Sequence, residues 1–247
     1  MRRVGWAAVL LALAGCVAGP MGPPVAGPGP GPAVTLAPDP GPIRTSLDAQ
    51  RAFVGVQARV EPVAEAICRQ RTRNVPCDFQ IVVDARGGQD PNAFQTLDRQ
   101  GRPVIGLTLS LLENARNVDE LAFVLGHETA HHILGHIPRQ RETAMTSAVL
   151  AGVLAQMGGA SETTIRSVQQ MGASLGARSY SRNYELEADG LGTEIAMLAG
   201  YDPVHGAQFF TRLPDPGDTF LGSHPPNAQR IEMVRRAARS LGYASTH

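Results

Sequence analysis

Two histidines stand four residues apart in the sequence, and a glutamate directly follows the first: His127, Glu128 and His131. On a helix, residues with this spacing lie about 40° apart around the axis and one turn apart along it, so both imidazoles can bind one metal ion. Zinc prefers such nitrogen ligands, and a catalytic zinc site has three protein ligands and a water molecule. The Glu128 carboxylate can take a proton from that water and later pass it to a leaving amine. The pattern therefore predicts metal-assisted hydrolysis of a peptide bond.

A five-residue pattern also arises by chance, and the histidines would then lie on a solvated helix surface. The surrounding helix is apolar, however, and unpaired histidines and a glutamate would be costly inside it. On one continuous helix, His132 and His136 are turned by about 140° and 180° from His127. We therefore expect both to lie outside the metal site, at the surface or in packing positions.

The third ligand should be an acidic residue or a histidine on another element. Glu185 and Asp189 are four residues apart and share a helix face, whereas Glu187 points away from it. One carboxylate of the pair can bind zinc while the other accepts a hydrogen bond from the outer nitrogen of a histidine ligand. The alternative is a solvated acidic stripe.

The His127–His131 motif, taken together with Ser-Arg-Asn-Tyr-Glu-Leu-Glu-Ala-Asp at 181–189, resembles the HtpX/CAAX-prenyl-protease-type family of zinc metallopeptidases. Its periplasmic, lipid-anchored BepA/LoiP-like branch is the nearest match. Asn-Ala-Phe at 92–94 resembles the family's strand before the active-site helix. Ser-His-Pro-Pro at 223–226, with Arg230, resembles its C-terminal element. The resemblance covers roughly residues 46–241.

The resemblance implies one Zn²⁺ per chain. Its ligands would be His127, His131 and Glu185, and Glu128 would be the catalytic base. Asp189 would be the carboxylate that orients a histidine ligand.

Two further residues receive roles from the same resemblance. His224 would approach the zinc as a catalytic residue, either as a fourth, inhibitory ligand or as a hydrogen-bond donor to the transition state; a loop histidine is the alternative. Arg230 would support the site by anchoring that loop or by binding a carboxylate, and a surface arginine is the alternative.

Substrate binding is predicted at the strand around Asn92, Ala93 and Phe94, which would accept substrate as an added strand. The segment Ser147–Ala177 is rich in Ala, Gly and Met. It is interpreted either as a mobile helical lid over the cleft or as a packed helical hairpin. The sequence departs from the family's membrane enzymes because it lacks their transmembrane helices.

The N-terminus is typical of an export signal. Arg2 and Arg3 precede a short apolar run, and Leu-Ala-Gly-Cys at 13–16 resembles a bacterial lipobox. We predict a signal peptide at 1–15 and a lipidated Cys16, with an ordinary cleaved signal as the alternative. Val17 follows the cysteine and no Asp retention signal is present, so the expected location is the periplasmic face of the outer membrane.

The remaining cysteines, Cys68 and Cys77, are close in sequence. An oxidising compartment favours a disulfide between them, with two free thiols as the alternative. The formal net charge of the chain is zero, which argues against a nucleic-acid partner.

The elements that must position these residues form a helix-rich α+β domain with one small β-sheet. A Gly/Pro-rich linker at 16–45 precedes the folded domain at 46–247. Helices are predicted over Ser46–Arg71, with a kink or a new start at Pro62, over Val118–Ile137 and over Asn183–Leu198. The family resemblance implies a gluzincin-type metallopeptidase fold for this domain.

The expected function is that of a zinc endopeptidase acting on misfolded or unassembled cell-envelope proteins. Its partners would be those unfolded substrates and, through the lipid anchor, the membrane. A chaperone or assembly factor that keeps zinc for structure is the main alternative, and a purely structural lipoprotein is a third. Glu128 favours the enzyme, because a closed structural zinc site needs no base.

Overall fold

A computed structural model describes residues 37, 41–43, 45–212 and 226–242, without the side chains of 175–181. The predictions for Cys16, for most of the linker and for His224 lie outside these residues. The residues from Val34 onward form a compact unit of their own. This unit contains several helices and one small sheet, which confirms the predicted helix-rich α+β fold.

The helices and strands follow one another along the chain. The helices are α1 (Ser46–Arg71), α2 (Leu109–Asn114), α3 (Val118–Ile133), α4 (His136–Met157), α5 (Glu162–Leu198), α6 (Pro203–Gly206) and α7 (Asn227–Ser240), with a 3₁₀ helix at Ala207–Arg212. The strands are β1 (Gln80–Asp84), β2 (Ala93–Leu97) and β3 (Pro103–Thr108). Their order in the sheet is β1-β3-β2, with β1 parallel and β2 antiparallel to β3.

Helix α1 packs against α3, and its buried apolar residues include Phe53, Val56 and Val60. Pro62 lies inside this single helix. At its C-terminal end, a disulfide joins Cys68 to Cys77, just before β1. A loop of this length stabilises the fold by roughly 2–3 kcal/mol in the chain-entropy description.

Helix α3 is shorter than the sequence predicts. It begins after Asn117, whose side chain accepts a hydrogen bond from the Glu120 amide at 2.9 Å, and it ends at Ile133. The predicted end at Ile137 is wrong because Gly135 adopts the left-handed conformation (φ 65°), which breaks the helical path. A new helix, α4, therefore starts at His136.

Helix α5 runs without a break from Glu162 to Leu198 and is therefore longer than the predicted helix Asn183–Leu198. Together with α4 it forms a packed helical hairpin. Glycines allow close contact inside this hairpin: a Cβ on Gly172 would lie 2.7 Å from the Ala151 Cβ. The outward face of α4 is apolar and includes Met145, Val149 and Met157. Among the described residues, no helix is both long and apolar enough to cross a membrane.

The crossing of α3 and α5 sets the distance between the two halves of the predicted site. A Cβ on Gly126 of α3 would lie 2.9 Å from the Gly192 carbonyl oxygen of α5. Conversely, a Cβ on Gly192 would lie 2.8 Å from the His127 backbone nitrogen. The two backbones therefore touch one residue before the first ligand histidine, and the acidic residues of α5 are held beside α3.

Substituting Gly192 with Ala is expected to lower the free energy of unfolding by about 1–3 kcal/mol, because overpacking against backbone forces the helices apart. Gly190→Ala is the matched control: it lies on the same helix, and nothing lies within 4 Å of its Cβ position. That variant should be neutral or stabilised by up to about 1 kcal/mol, the helix-propensity gain of Gly→Ala. Urea unfolding of both variants measures the difference. Equal stabilities would contradict the backbone contact.

Candidate active site

Three side chains from two helices converge on one point. His127 and His131 come from α3, and Glu185 comes from α5. The two Nε2 atoms are 3.0 Å apart. The Glu185 carboxylate places Oε2 at 3.5 Å from His127 Nε2 and Oε1 at 3.5 Å from His131 Nε2. Facing histidine nitrogens and a carboxylate at these distances form a donor set for a metal ion.

The spacing suits zinc. With bonds of about 2.0–2.1 Å, the corners of a zinc tetrahedron are about 3.3–3.4 Å apart. The three distances between His127, His131 and Glu185 lie close to that value. The crossing at Gly126 and Gly192 and the four-residue spacing on α3 together produce this arrangement.

Asp189 lies directly behind the first ligand. The side chain is fully buried, and its Oδ1 is 3.0 Å from His127 Nδ1. A carboxylate at the outer nitrogen fixes the ring with its Nε2 lone pair facing the metal. In the structure, Glu185 therefore occupies the ligand position and Asp189 the supporting one.

Arg230 of α7 binds the same carboxylate at two points, with Nε 2.9 Å from Asp189 Oδ2 and one terminal nitrogen 2.7 Å from Oδ1. That nitrogen also lies 3.3 Å from Glu185 Oε2, and the guanidinium stacks on the Phe210 ring at 3.8 Å. Burial favours its neutral form, but Asp189 and Glu185 outweigh it and raise the pKa of Arg230. Arg230 therefore connects α7 to the site by binding the carboxylates of Asp189 and Glu185.

The charges around the site favour a divalent cation. The carboxylates of Asp189, Glu185 and Glu128 lie close enough to Arg230 to raise its pKa. A Zn²⁺ ion bound by His127, His131 and Glu185 would be attracted by the same carboxylates.

The surroundings shift the pKa values of the two histidines in opposite directions. Burial favours the neutral imidazole, but hydrogen bonds to Asp189 and Glu185 outweigh it and raise the pKa of His127 to about 9. Burial, together with the charge of His127, lowers the pKa of His131 to about 3. One proton therefore belongs to the histidine pair over the neutral pH range.

The outer nitrogen of His131 faces another histidine. Its Nδ1 lies 2.8 Å from His136 Nδ1, and His136 Nε2 lies 3.3 Å from Glu187 Oε2. Glu187 points away from the Glu185 and Asp189 face, as predicted, and contacts α4. His136 is not one of the three converging ligands, but its predicted direction away from His131 is wrong. That direction assumed a continuous helix through residue 136, whereas the turn at Gly135 brings His136 back towards His131.

His132 has the packing role that the sequence predicts for it. Its Nε2 lies 2.7 Å from the Pro76 carbonyl oxygen, so this nitrogen donates. The ring meets the edge of Phe79, with centroids 5.6 Å apart. Gln95 of β2 lies 3.5 Å from its other nitrogen. His132 therefore joins α3 to the segment after the disulfide and to the sheet.

A cavity of about 520 Å³ opens over the three ligands and Glu128. Its lining includes β2 and the residues before it, together with apolar side chains from α2, α3 and the 3₁₀ helix. The wall residues include Asn92, Ala93, Gln95, Leu111, Phe123, Val124, Phe209 and Phe210.

Of the predicted substrate residues, Asn92 and Ala93 line this cavity. Phe94 instead packs across the sheet over Gly106, where a Cβ would lie 2.2 Å from its Cζ. His224 and Cys16 lie outside the described residues. The sequence interpretation missed His136 and Glu187. The glycine before His136 is a helix-stop signal that could have revealed them.

Comparison with known proteins places the chain among peptidases. The profile of peptidase family M48 matches residues 53–238. A putative beta-barrel assembly-enhancing protease of Vibrio cholerae is 34% identical over 148 residues, which are 55% of this chain and 31% of that protein. Metalloprotease LoiP of Escherichia coli is 26% identical over 65% of this chain and 62% of its own length. The mitochondrial metalloendopeptidase OMA1 of Arabidopsis thaliana is 29% identical over 51% of this chain and 26% of its own length. The chain thus spans less than two thirds of the length of these relatives.

The proton on His127 predicts how metal affinity depends on pH. Zinc must displace one proton below pH about 9, because the pKa of His127 is raised, whereas His131 is already neutral above its pKa of about 3. The apparent zinc affinity should therefore rise about tenfold per pH unit between pH 6 and 8, one proton per metal ion. Chelator competition at several pH values measures this slope. In Asp189→Asn the pKa of His127 should fall and the slope should flatten above pH 7. A hundredfold rise per unit in the wild type would show two competing protons.

Proposed function

Because this chain belongs to peptidase family M48, we propose that it is a zinc endopeptidase that hydrolyses peptide bonds in misfolded or unassembled cell-envelope proteins. The observation that carries the proposal is the convergence of His127, His131 and Glu185 on one point at the floor of an open cavity, with Glu128 beside them. A structural zinc site would be closed by a fourth protein ligand, and the residues that the structure describes add none to these three.

Zinc held by these three ligands would polarise the substrate carbonyl and lower the pKa of an attacking water molecule to about 7. Glu128 lines the cavity on the same helix as the two histidines. Its carboxylate takes the proton from the attacking water and delivers it to the leaving amine. Asp189 and Arg230 keep the first histidine oriented throughout.

The cavity walls support a substrate bound as an extended chain. The Thr108 amide donates to the Asn92 carbonyl oxygen at 2.9 Å, so the carbonyl group of Asn92 faces β3. By antiparallel alternation, the main-chain groups of Ala93 and Gln95 point to the other edge of β2. Among the residues that the structure describes, no strand pairs with that edge.

Main-chain pairing at an edge requires a peptide whose own backbone is unpaired, as in an unfolded segment. In the same cavity, Leu111, Phe123 and Phe210 offer apolar contacts for a side chain of that peptide. Both features favour unfolded protein with exposed apolar residues as the substrate class.

The location proposed for this activity is the periplasmic face of the outer membrane. The lipobox at Cys16 and the linker that follows it support a lipid anchor. The similarity to a protease named for enhancing β-barrel assembly supports substrates in the cell envelope.

Glu128→Gln should bind zinc as the wild type does and should lose cleavage of an unfolded protein such as casein by a factor of about 10²–10⁴, because the general base is removed. Glu185→Gln should lose zinc as well as cleavage. Glu232→Gln, at an exposed position on α7, is the control and should retain both. Zinc content and initial cleavage rates distinguish the three variants. Unchanged cleavage in Glu128→Gln would overturn the mechanism, and zinc binding without any cleavage in the wild type would favour a chaperone.

Ala93→Asp should raise KM for unfolded protein about tenfold or more with a smaller change in kcat, because a charge in the cavity wall opposes strand pairing and apolar contact. Thr96→Asp, at an exposed position on the same strand, should have little effect. Steady-state kinetics on a labelled unfolded substrate measure both constants. Equal KM values for both variants and the wild type would show that β2 does not bind substrate.

A further inference from the structure

His136 is the first residue of α4 and is only 3% exposed. Its ring lies parallel to the Tyr184 ring, with centroids 4.5 Å apart and planes at 11°. Its Nδ1 faces His131 Nδ1 at 2.8 Å, a hydrogen-bond distance. Nothing in a continuous-helix interpretation of this segment would bring these two rings together, and the left-handed Gly135 makes the approach possible.

Two imidazole nitrogens at this distance require one donor and one acceptor. His131 directs Nε2 towards His127 and Glu185, so as a metal ligand it carries its proton on Nδ1. His136 Nδ1 must then accept. Its own proton resides on Nε2, which faces Glu187 Oε2 at 3.3 Å.

The carboxylate at the end of this chain is itself held in place. Arg139 donates to Glu187 Oε2 at 2.9 Å, and its guanidinium lies 4.5 Å from the centre of the Tyr184 ring. The hydrogen bonds therefore run from His131 through His136 to Glu187, and Tyr184 packs against two of the participants. The contacts join the start of α4 to the same turn of α5 that carries Glu185.

We propose that His136 is a positioning residue for the second metal ligand, fixing the tautomer and orientation of His131, with Glu187 as the anion that orients His136 in turn. The proposal rests on the proposed function only in taking His131 as a zinc ligand. The outer nitrogens of the two ligand histidines then have different partners. His127 Nδ1 faces the Asp189 carboxylate directly, whereas His131 Nδ1 faces the His136 imidazole, which in turn contacts the Glu187 carboxylate.

Two substitutions separate hydrogen bonding from packing. His136→Phe keeps an aromatic ring on Tyr184 and removes the acceptor. His136→Asn loses the ring and the link to Glu187, but its Oδ1 can stand at the position of Nδ1 and accept from His131. Loss of an outer hydrogen-bond partner typically weakens metal binding 10–100-fold.

Zinc affinity, measured by chelator competition, is the main readout, and thermal unfolding of the metal-free chains shows the effect on folding. His136→Phe should bind zinc about 10–100-fold more weakly, and His136→Asn should recover most of that loss although it packs less well. His132→Phe is the matched control: it replaces a buried histidine of α3 that bonds to a backbone carbonyl, and it should change thermal stability without a comparable loss of zinc affinity.

Glu187 provides a second variant at a more tolerant position, because its side chain is 42% exposed. Glu187→Ala should weaken zinc binding, but by less than His136→Phe does. Glu142→Ala, which replaces an exposed glutamate on α4, should leave zinc binding unchanged. Wild-type zinc affinity in His136→Phe, or equal weakening by Phe and Asn, would overturn the proposal. If the wild type binds zinc but cleaves nothing, the proposed function fails while this test of His136 still stands.

Discussion

The contact between Gly126 and Gly192 is the constraint on which the site depends. Each glycine occupies a place where a Cβ would meet the backbone of the other helix. Because α3 and α5 approach this closely, ligands that are 54 residues apart (131 to 185) come within 3.5 Å of each other. A wider crossing would leave two histidines on one helix and a carboxylate on another, too far apart to share an ion.

Bringing those groups together creates an electrostatic problem. Three carboxylates and two imidazoles share a partly buried region, and unpaired charges are costly there. Arg230 offsets one negative charge through its two bonds to Asp189. Hydrogen bonds to Asp189 and Glu185 raise the pKa of His127, which favours a proton on this ring in the metal-free chain. A divalent cation bound there would replace that proton, which would couple protonation to metal binding at one histidine.

The surroundings of the site divide the remaining tasks. The sheet presents an edge strand, β2, to the cavity, and the 3₁₀ helix supplies Phe209 and Phe210 to its lining. Glu120 at the start of α3 is buried and accepts from Arg212, which fixes the 3₁₀ helix to α3. His132 fixes the other end of α3 to the segment before β1. The active-site helix is thus held at both ends while its middle faces the cavity.

The sequence by itself determined the chemistry. A four-residue spacing of histidines, a glutamate between them and an acidic pair at the same spacing specify a metal site on helices, because helical geometry is local and repeats every 3.6 residues. The apolar patterns likewise placed α1 at its observed bounds and the start of α3 at Val118.

Only the tertiary structure decided which groups surround those ligands. The residue spacing left open which carboxylate of the acidic pair faces the histidines. The close contact of α3 and α5 places Glu185 beside both Nε2 atoms and Asp189 at His127 Nδ1, and α7 brings Arg230 onto both carboxylates. The tertiary structure also moved His136 from the far side of a predicted helix to the outer nitrogen of His131. The position of His136 depends on Gly135, because its left-handed backbone conformation changes the direction of the chain between α3 and α4.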